Sequence, residues 1–400
     1  MYGKKAPFVS RVALTLAFVS RIAIVAPQPA HAEKFETLHE FTSGRDGHSP
    51  MAGVIADQSG NLYGTTAKGG ASGAGTVFRV DKNGKEKVLY NFTGYDDGQG
   101  PAAALILDAK GDLYGTTYGG GNLPCSCGVV FKLDKQGKET VLYSFKRRGK
   151  DGQFPLAGLI RDSKGNLYGT TSAGGEGYGT VFKVDTGGRE TVLYAFSGSS
   201  DGSVPESGLV RDVRGNLYGT TYGGGAYGYG VVFQVDAAGT ETVLHSFTGG
   251  ADGATPDDFG ALATDGAGNL YGTAANGGDL NCNYDNPGCG VVFKLDTAGT
   301  ETVLLSFTRS EGIDPYASVV RDAAGNLYGT TFYGGTYLNG DVFKLDTTGK
   351  LTVLHSFTGN ADGGLPYGEL FLDEKGAIYG TTSYGGKFNC HCGTVFKITP

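Results

Sequence analysis

The sequence predicts an all-β fold: a seven-bladed β-propeller with four antiparallel strands per blade, closed by the N-terminal strand joining the C-terminal blade. Three observations predict it. The phrase Asn-Leu-Tyr-Gly-Thr-Thr at residues 61–66 returns with small changes at Asp112, Asn166, Asn216, Asn269, Asn326 and Ala377, so its tyrosines recur every 50 to 57 residues. Each period carries four short strand-like runs, the pattern of a propeller blade. The two ends are complementary: residues 35–41 read as a lone fourth strand and residues 393–398 as a third. Neither end is the polar cap that an open stack requires, so the fragments together complete one blade and remove the exposed sheet edges.

The third period shows each element in order. Its runs are Leu156-Ala-Gly-Leu-Ile-Arg161, Asn166-Leu-Tyr-Gly-Thr-Thr171, Gly179-Thr-Val-Phe-Lys-Val184 and Glu190-Thr-Val-Leu-Tyr-Ala-Phe196. Asp-x-x-Gly segments join the first run to the second and the third to the fourth. There are thirteen in the chain, beginning with Asp57 to Gly60. Aspartate first and glycine fourth suit a type I turn closing a hairpin. A glycine-rich loop joins the second run to the third. The fourth leads to the next blade through [Asp/Glu]-Gly-x-x-Pro, opened by Asp46, Asp97, Asp151, Asp201, Asp252, Glu311 and Asp362. Each of these carboxylates is expected to cap its own turn ahead of the proline. The glycine inside the second strand weakens pairing and leaves nothing to pack. It is expected to let an aromatic ring from a neighbouring blade lie against its backbone, a structural role in keeping with seven equivalent copies.

Composition narrows the function. The net charge of −7 argues against nucleic-acid binding. The thirteen turns and seven loops hold half of the 40 carboxylates, so much of that acidity is turn chemistry. Residues 1–32 stand outside the repeat: Lys4, Lys5 and Arg11 precede an apolar run that Arg21 interrupts, and Ala30-His31-Ala32 ends the segment. This is the layout of a signal peptide, leaving residues 33–400 as the propeller. A secreted, periplasmic or cell-surface location is expected, with no transmembrane segment in the mature chain.

The combination of [Asp/Glu]-Gly-x-x-Pro, Asp-x-x-Gly-Asn-Leu-Tyr-Gly-Thr-Thr, a Gly-Gly loop and Gly-x-Val-Phe-Lys-Leu-Asp resembles the bacterial GloVer tandem-repeat family across residues 35–399. The resemblance implies an exported repeat protein of propeller type, and brings no established activity or catalytic residues. The absence of tryptophan excludes the signatures of WD, quinone-dependent dehydrogenase and sialidase propellers.

All six cysteines lie in loops between second and third strands: Cys125 and Cys127, Cys282 and Cys289, Cys390 and Cys392. An even count in an exported chain points to disulfides, and proximity favours three local bridges among fifteen connectivities. A shared thiolate metal site is the rival, disfavoured because blade 1 separates the pairs of blades 2 and 7. Asp279, Asn281, Asn283 and Asp285 begin like a calcium loop, but Tyr284 and Gly290 stand where glycine and glutamate are needed. No cofactor and no metal ion are expected.

Function is sought where the repeat breaks its own rule. The fourth-to-first and second-to-third loops emerge on one face, around the channel mouth. The residue after the loop proline is Met51, Ala102, Leu156, Glu206, Asp257, Tyr316 and Tyr367 around the ring. Carboxylates Glu206, Asp257 and Asp258 thus gather on blades 4 and 5, and Tyr316 and Tyr367 on blades 6 and 7. Tyr118, Tyr222, Tyr227, Phe332, Tyr333, Tyr337 and Tyr384 decorate the longer loops. Aromatics with carboxylates suit sugars or peptides, whereas packing of these rings on one another is the competing reading. The favoured expectation is a monomeric, non-enzymatic propeller that binds an extracellular glycan or protein. A glycan hydrolase or lyase using Glu206 with Asp257 or Asp258 is the alternative, and a purely structural surface protein the third.

Overall fold

All thirteen Asp-x-x-Gly segments form tight turns, the glycine N–H donating to the aspartate carbonyl at 2.8–3.1 Å. The computed structural model describes residues 33–121, 124–147, 150–256, 260–282, 288–386 and 390–399. The segment expected to be a signal peptide lies outside them. At the first turn Asp57 Oδ1 accepts the amides of Ser59 and Asn61, while Oδ2 accepts Asn61 Nδ2 and the Tyr63 hydroxyl. The turn aspartate, the asparagine and the tyrosine of the repeated phrase are therefore one hydrogen-bonded unit. The same set recurs at Asp162, Asp212, Asp265 and Asp322.

The strands pair into seven blades. In the first, Ile55–Ala56, Leu62–Thr66, Thr76–Val80 and Glu86–Asn91 follow one another across the sheet, each antiparallel to the next. The last blade joins Phe371–Leu372, Ile378–Thr382 and Thr394–Thr399 to the N-terminal Lys34–Glu40. Phe35 stands opposite Ile398 and Glu40 opposite Thr394, so the two ends of the chain close the ring. The fold is a seven-bladed β-propeller.

Two local features depart from expectation. The first strand, read as six residues at 156–161, pairs over Ile160–Arg161 alone. Its earlier residues leave the sheet because the innermost segments crowd one another about the axis: a Cβ on Gly53 would strike the Glu369 carbonyl, and Gly208 bridges Ala261 of the next blade. The glycine of the second strand also meets an aromatic ring of its own blade, not a neighbour's. Gly64 lies directly opposite Phe78 of the third strand, and a Cβ there would sit 2.6 Å from the ring tip. The cross-strand partner, which stands on the same face, is what covers the bare backbone.

Those phenylalanines build the core between blades. Phe41 of the last blade meets Phe78 of the first at 5.1 Å, and Phe357 meets Phe396 at 5.2 Å. The five interfaces between them carry the same edge-to-face pair at 5.1–5.3 Å. Such pairs add about 0.5–1.5 kcal/mol beyond their buried area. Threonines of the repeated phrase also cross the interfaces: Thr65 Oγ1 donates to the Ala103 carbonyl at 3.3 Å, and Thr381 Oγ1 to Ala52 at 2.8 Å.

Candidate functional site

The channel-mouth face is assembled from the two loop sets, which bridge within a blade: His48 pairs with Lys68, Gln99 with Gly119 and Gly364 with Tyr384. The loop carboxylates hold their own turns. Asp97 accepts the Thr93 amide at 2.8 Å and the Tyr90 hydroxyl at 2.9 Å, and Asp201 accepts Ser197 and Tyr194 in the same way. Histidines replace those tyrosines elsewhere, His355 Nε2 meeting Asp362 at 3.2 Å. The seven acids are thus caps within separate loops. The residue before the proline adopts a left-handed conformation, as at Phe154 (φ 61°), which sets the loop's path over the preceding blade.

The cysteines lie in these loops in local pairs: Cys125 with Cys127, Cys282 with Cys289 and Cys390 with Cys392, their Cα atoms 5.1, 5.5 and 5.2 Å apart. Cys127 and Cys289 are fully buried. The Cys127 carbonyl accepts the Phe154 amide at 2.8 Å, so the first pair braces the next blade's loop. Among the described residues, no three His, Cys, Asp or Glu side chains are grouped to hold a metal ion. Asn283 and Asp285 of the calcium-like segment fall outside the described residues.

Of the residues expected to form a binding site, Tyr316 and Tyr367 come together, ring centroids 5.4 Å apart. Phe332 stands against both at 5.2 and 5.3 Å, and Tyr333 packs on Phe332 at 4.5 Å. These aromatics form one cluster at the mouth, half-buried at Tyr316 and Tyr367 and open at Tyr333. Glu206 is half-buried on blade 4, and burial pushes its carboxyl up to about 7. Asp257 and Asp258 fall outside the described residues.

Three further features were missed in the sequence. Glu369 occupies the inner position that is Gly53, Ala104, Gly158, Gly208, Ala261 and Ser318 in the other blades, and its Oε1 accepts the Ala261 amide from two blades away. The one charged side chain at that position therefore reaches across the axis. Aligning the seven first strands would have found it. Asp314 and Asp341 of blade 6 are 4% and 1% exposed, and burial raises each to about 6. Finally, a cavity of about 610 Å³ opens between blades 1 and 2, where Tyr95, Tyr118, Lys68, Gln99, Met51 and Leu156 are among its walls. Tyr118 is steadied by stacking on Phe154 at 5.1 Å. Tyr95 lies in a fourth-to-first loop, where no repeat position marks it.

No curated protein sequence matches the chain. Among solved structures, the extracellular domain of a protein proposed to be a one-component system, from B. thetaiotaomicron, superposes with a TM-score of 0.57 at 9% identity. That alignment covers 91% of this chain and 40% of the other, so this chain spans less than half its length. The likeness is one of fold. A gluconolactonase from Xanthomonas campestris gives a TM-score of 0.46 at 13% identity over 92% of this chain and 89% of that one, too distant to support an argument. The profile described as the Gloeobacter/Verrucomicrobia repeat matches residues 24–214, 124–283 and 281–400. With the repeated phrase accounted for in every blade, the chain belongs to the Gloeobacter/Verrucomicrobia repeat family.

Proposed function

We propose that this protein is an exported propeller that binds an extracellular glycan, or failing that a protein, on its channel-mouth face without transforming it. One observation carries the reading. Among the described residues nine tyrosines are exposed, from Tyr384 at 37% to Tyr95 at 69%, and all nine lie in loops of this one face. The tyrosines of the repeated phrase, by contrast, are tied to turn aspartates. Tyrosine offers a flat apolar ring with a polar tip, which suits stacking on a sugar with hydrogen bonds at its rim. Tyr95 and Tyr118 flank the cavity of about 610 Å³, which is of ligand-binding size. The aromatic cluster of Tyr316 and Tyr367, together with Glu206, would extend the surface round the mouth, and Asp257 and Asp258 are proposed to contribute to it. Export is supported by the signal-like residues 1–32 and the local cysteine pairs.

Glu206 supports a second reading. A carboxyl held at about 7 is protonated often enough at neutral pH to serve as the general acid of a glycan hydrolase. Asp257 or Asp258 would supply the second carboxylate.

A screen of the mature protein against glycan and peptide arrays separates these readings. Tyr95→Ala with Tyr118→Ala should weaken ligand binding roughly thirtyfold, at about 1 kcal/mol for each of the two lost aromatic contacts. Glu206→Gln should then change affinity alone. Loss of product formation with binding retained would establish the hydrolase instead. A ligand indifferent to all of these positions would place binding elsewhere.

A further inference from the structure

The tyrosines of the repeated second strand lie directly opposite a third-strand residue that is cationic in six blades: Arg79, Lys132, Lys183, Lys294, Lys344 and Lys397. In blade 4 the residue opposite Tyr218 is Gln234. At three interfaces the next blade adds a second cation. The guanidinium carbons of Arg161, Arg211 and Arg321 stand 5.5, 5.8 and 5.8 Å from the ring centroids of Tyr114, Tyr168 and Tyr271. Arg161 also comes within 4.0 Å of Asp108, the carboxylate that accepts the Tyr114 hydroxyl. In blade 5 the matching first-strand residue is Thr264.

Blades 4 and 5 therefore lack both cations at the same place. Among the described residues no lysine or arginine stands over the Tyr218 ring. A cavity of about 770 Å³ opens there, on the face opposite the channel mouth, with Tyr218, Gln234, Thr264, Asp212, Asp265 and Arg214 in its walls. Asp212 Oδ2 accepts the Tyr218 hydroxyl at 3.2 Å, the counterpart of Asp108 beneath Tyr114.

We propose that this cavity binds a guanidinium group, the arginine side chain of a partner protein, in the position that the repeat fills with its own arginine at other interfaces. The protein displays the geometry three times over: a guanidinium on the tyrosine face, and at Tyr114 a turn carboxylate beside it. A planar guanidinium suits both the ring and the carboxylate better than an ammonium does. Asp265, though partly buried, is held at about 2 by hydrogen bonds from Asn269 and Tyr271, so the cavity keeps a second negative charge. The opposing charges are two arginines that also line the cavity: Arg214, an exposed side chain near the Tyr218 hydroxyl, and Arg211, whose guanidinium is seated on Tyr168.

The test is titration calorimetry of the mature chain with N-acetyl-arginine amide and with its citrulline counterpart, which keeps the shape and loses the charge. The arginine compound should bind saturably, and the citrulline compound roughly tenfold more weakly. Gln234→Lys combined with Thr264→Arg restores the cations of the other blades. It should abolish binding while leaving the melting temperature equal or higher. Failure of the wild type to bind the arginine compound would overturn the proposal. Equal binding of citrulline, or undiminished binding by the restored variant, would do the same.

Discussion

Gly115 shows how closely single positions are specified. A methyl group placed there would lie 2.8 Å from both Leu105 Cδ2 and the tip of Phe131, which are buried and have no room to retreat. Gly115→Ala is therefore expected to cost about 1–3 kcal/mol through overpacking. Gly266→Ala has open space around its added methyl and serves as the control. Urea midpoints of the two variants check the difference; equal midpoints would mean that the Phe131 ring yields freely. The fourth strands hold a second residue-scale feature. Glu86, Glu139, Glu190, Glu241 and Glu301 each bury an unpaired Oε1, and burial, with the loop carboxylate of the preceding blade, raises each carboxyl to about 7. Folding thus favours their protonated form. Their stabilising contribution is complete below the unfolded value near 4.5 and is lost as pH rises through 7. Urea midpoints should fall between pH 5 and pH 8, and replacing all five by glutamine should flatten that fall. An unchanged slope would contradict the assignment.

At the scale of the element, the same interface position varies in step with its neighbour. Tyr143 and Asp151 face Glu190, but in blade 6 Leu351 replaces the glutamate and packs against the same core cluster as Leu305 of blade 5. In the closing blade Phe35 takes that place and stacks on His355, ring centroids 3.7 Å apart. The N-terminal strand is thus fitted to the last interface as well as hydrogen-bonded into the last sheet. Deleting residues 33–41 should lower the melting temperature and promote self-association through the bared edge of Thr394–Thr399. A deletion variant that melts like the mature protein would show that Lys34–Glu40 is dispensable. The turns, the second and third strands and the closure were legible in the sequence because Asp, Gly and Pro act locally and the repeat printed them many times. The short first strand was not, since crowding about the axis depends on all seven blades at once. Nor was the partner of the strand glycine: period and composition give no cross-strand register. The third and fourth strands add a bulge, as between Val77 and Phe78, that no residue pattern marked.

On the scale of the whole molecule, the ring separates two surfaces. The turn face is built of aspartates, glycines and paired tyrosines, and between blades 4 and 5 it lacks both cations, with Gln234 opposite Tyr218 and Thr264 in the next blade. The mouth face gathers the long loops, the cysteine pairs and, among the described residues, every exposed tyrosine. Sequence reasoning singled out that face and expected an asymmetry round it. It sought a site at the residue after each proline, and so overlooked Tyr95 and the cavity between blades 1 and 2, which the loops create only when folded together. The claim that the mouth face is the binding surface is tested most directly by hydroxyl-radical footprinting of the mature protein with and without the ligand recovered from the array screen. Protection should fall on Tyr95 and Tyr118, extend toward Tyr316 and Tyr367, and spare Val213 on the opposite face. Protection confined to the turn face, or none at any exposed tyrosine, would contradict it.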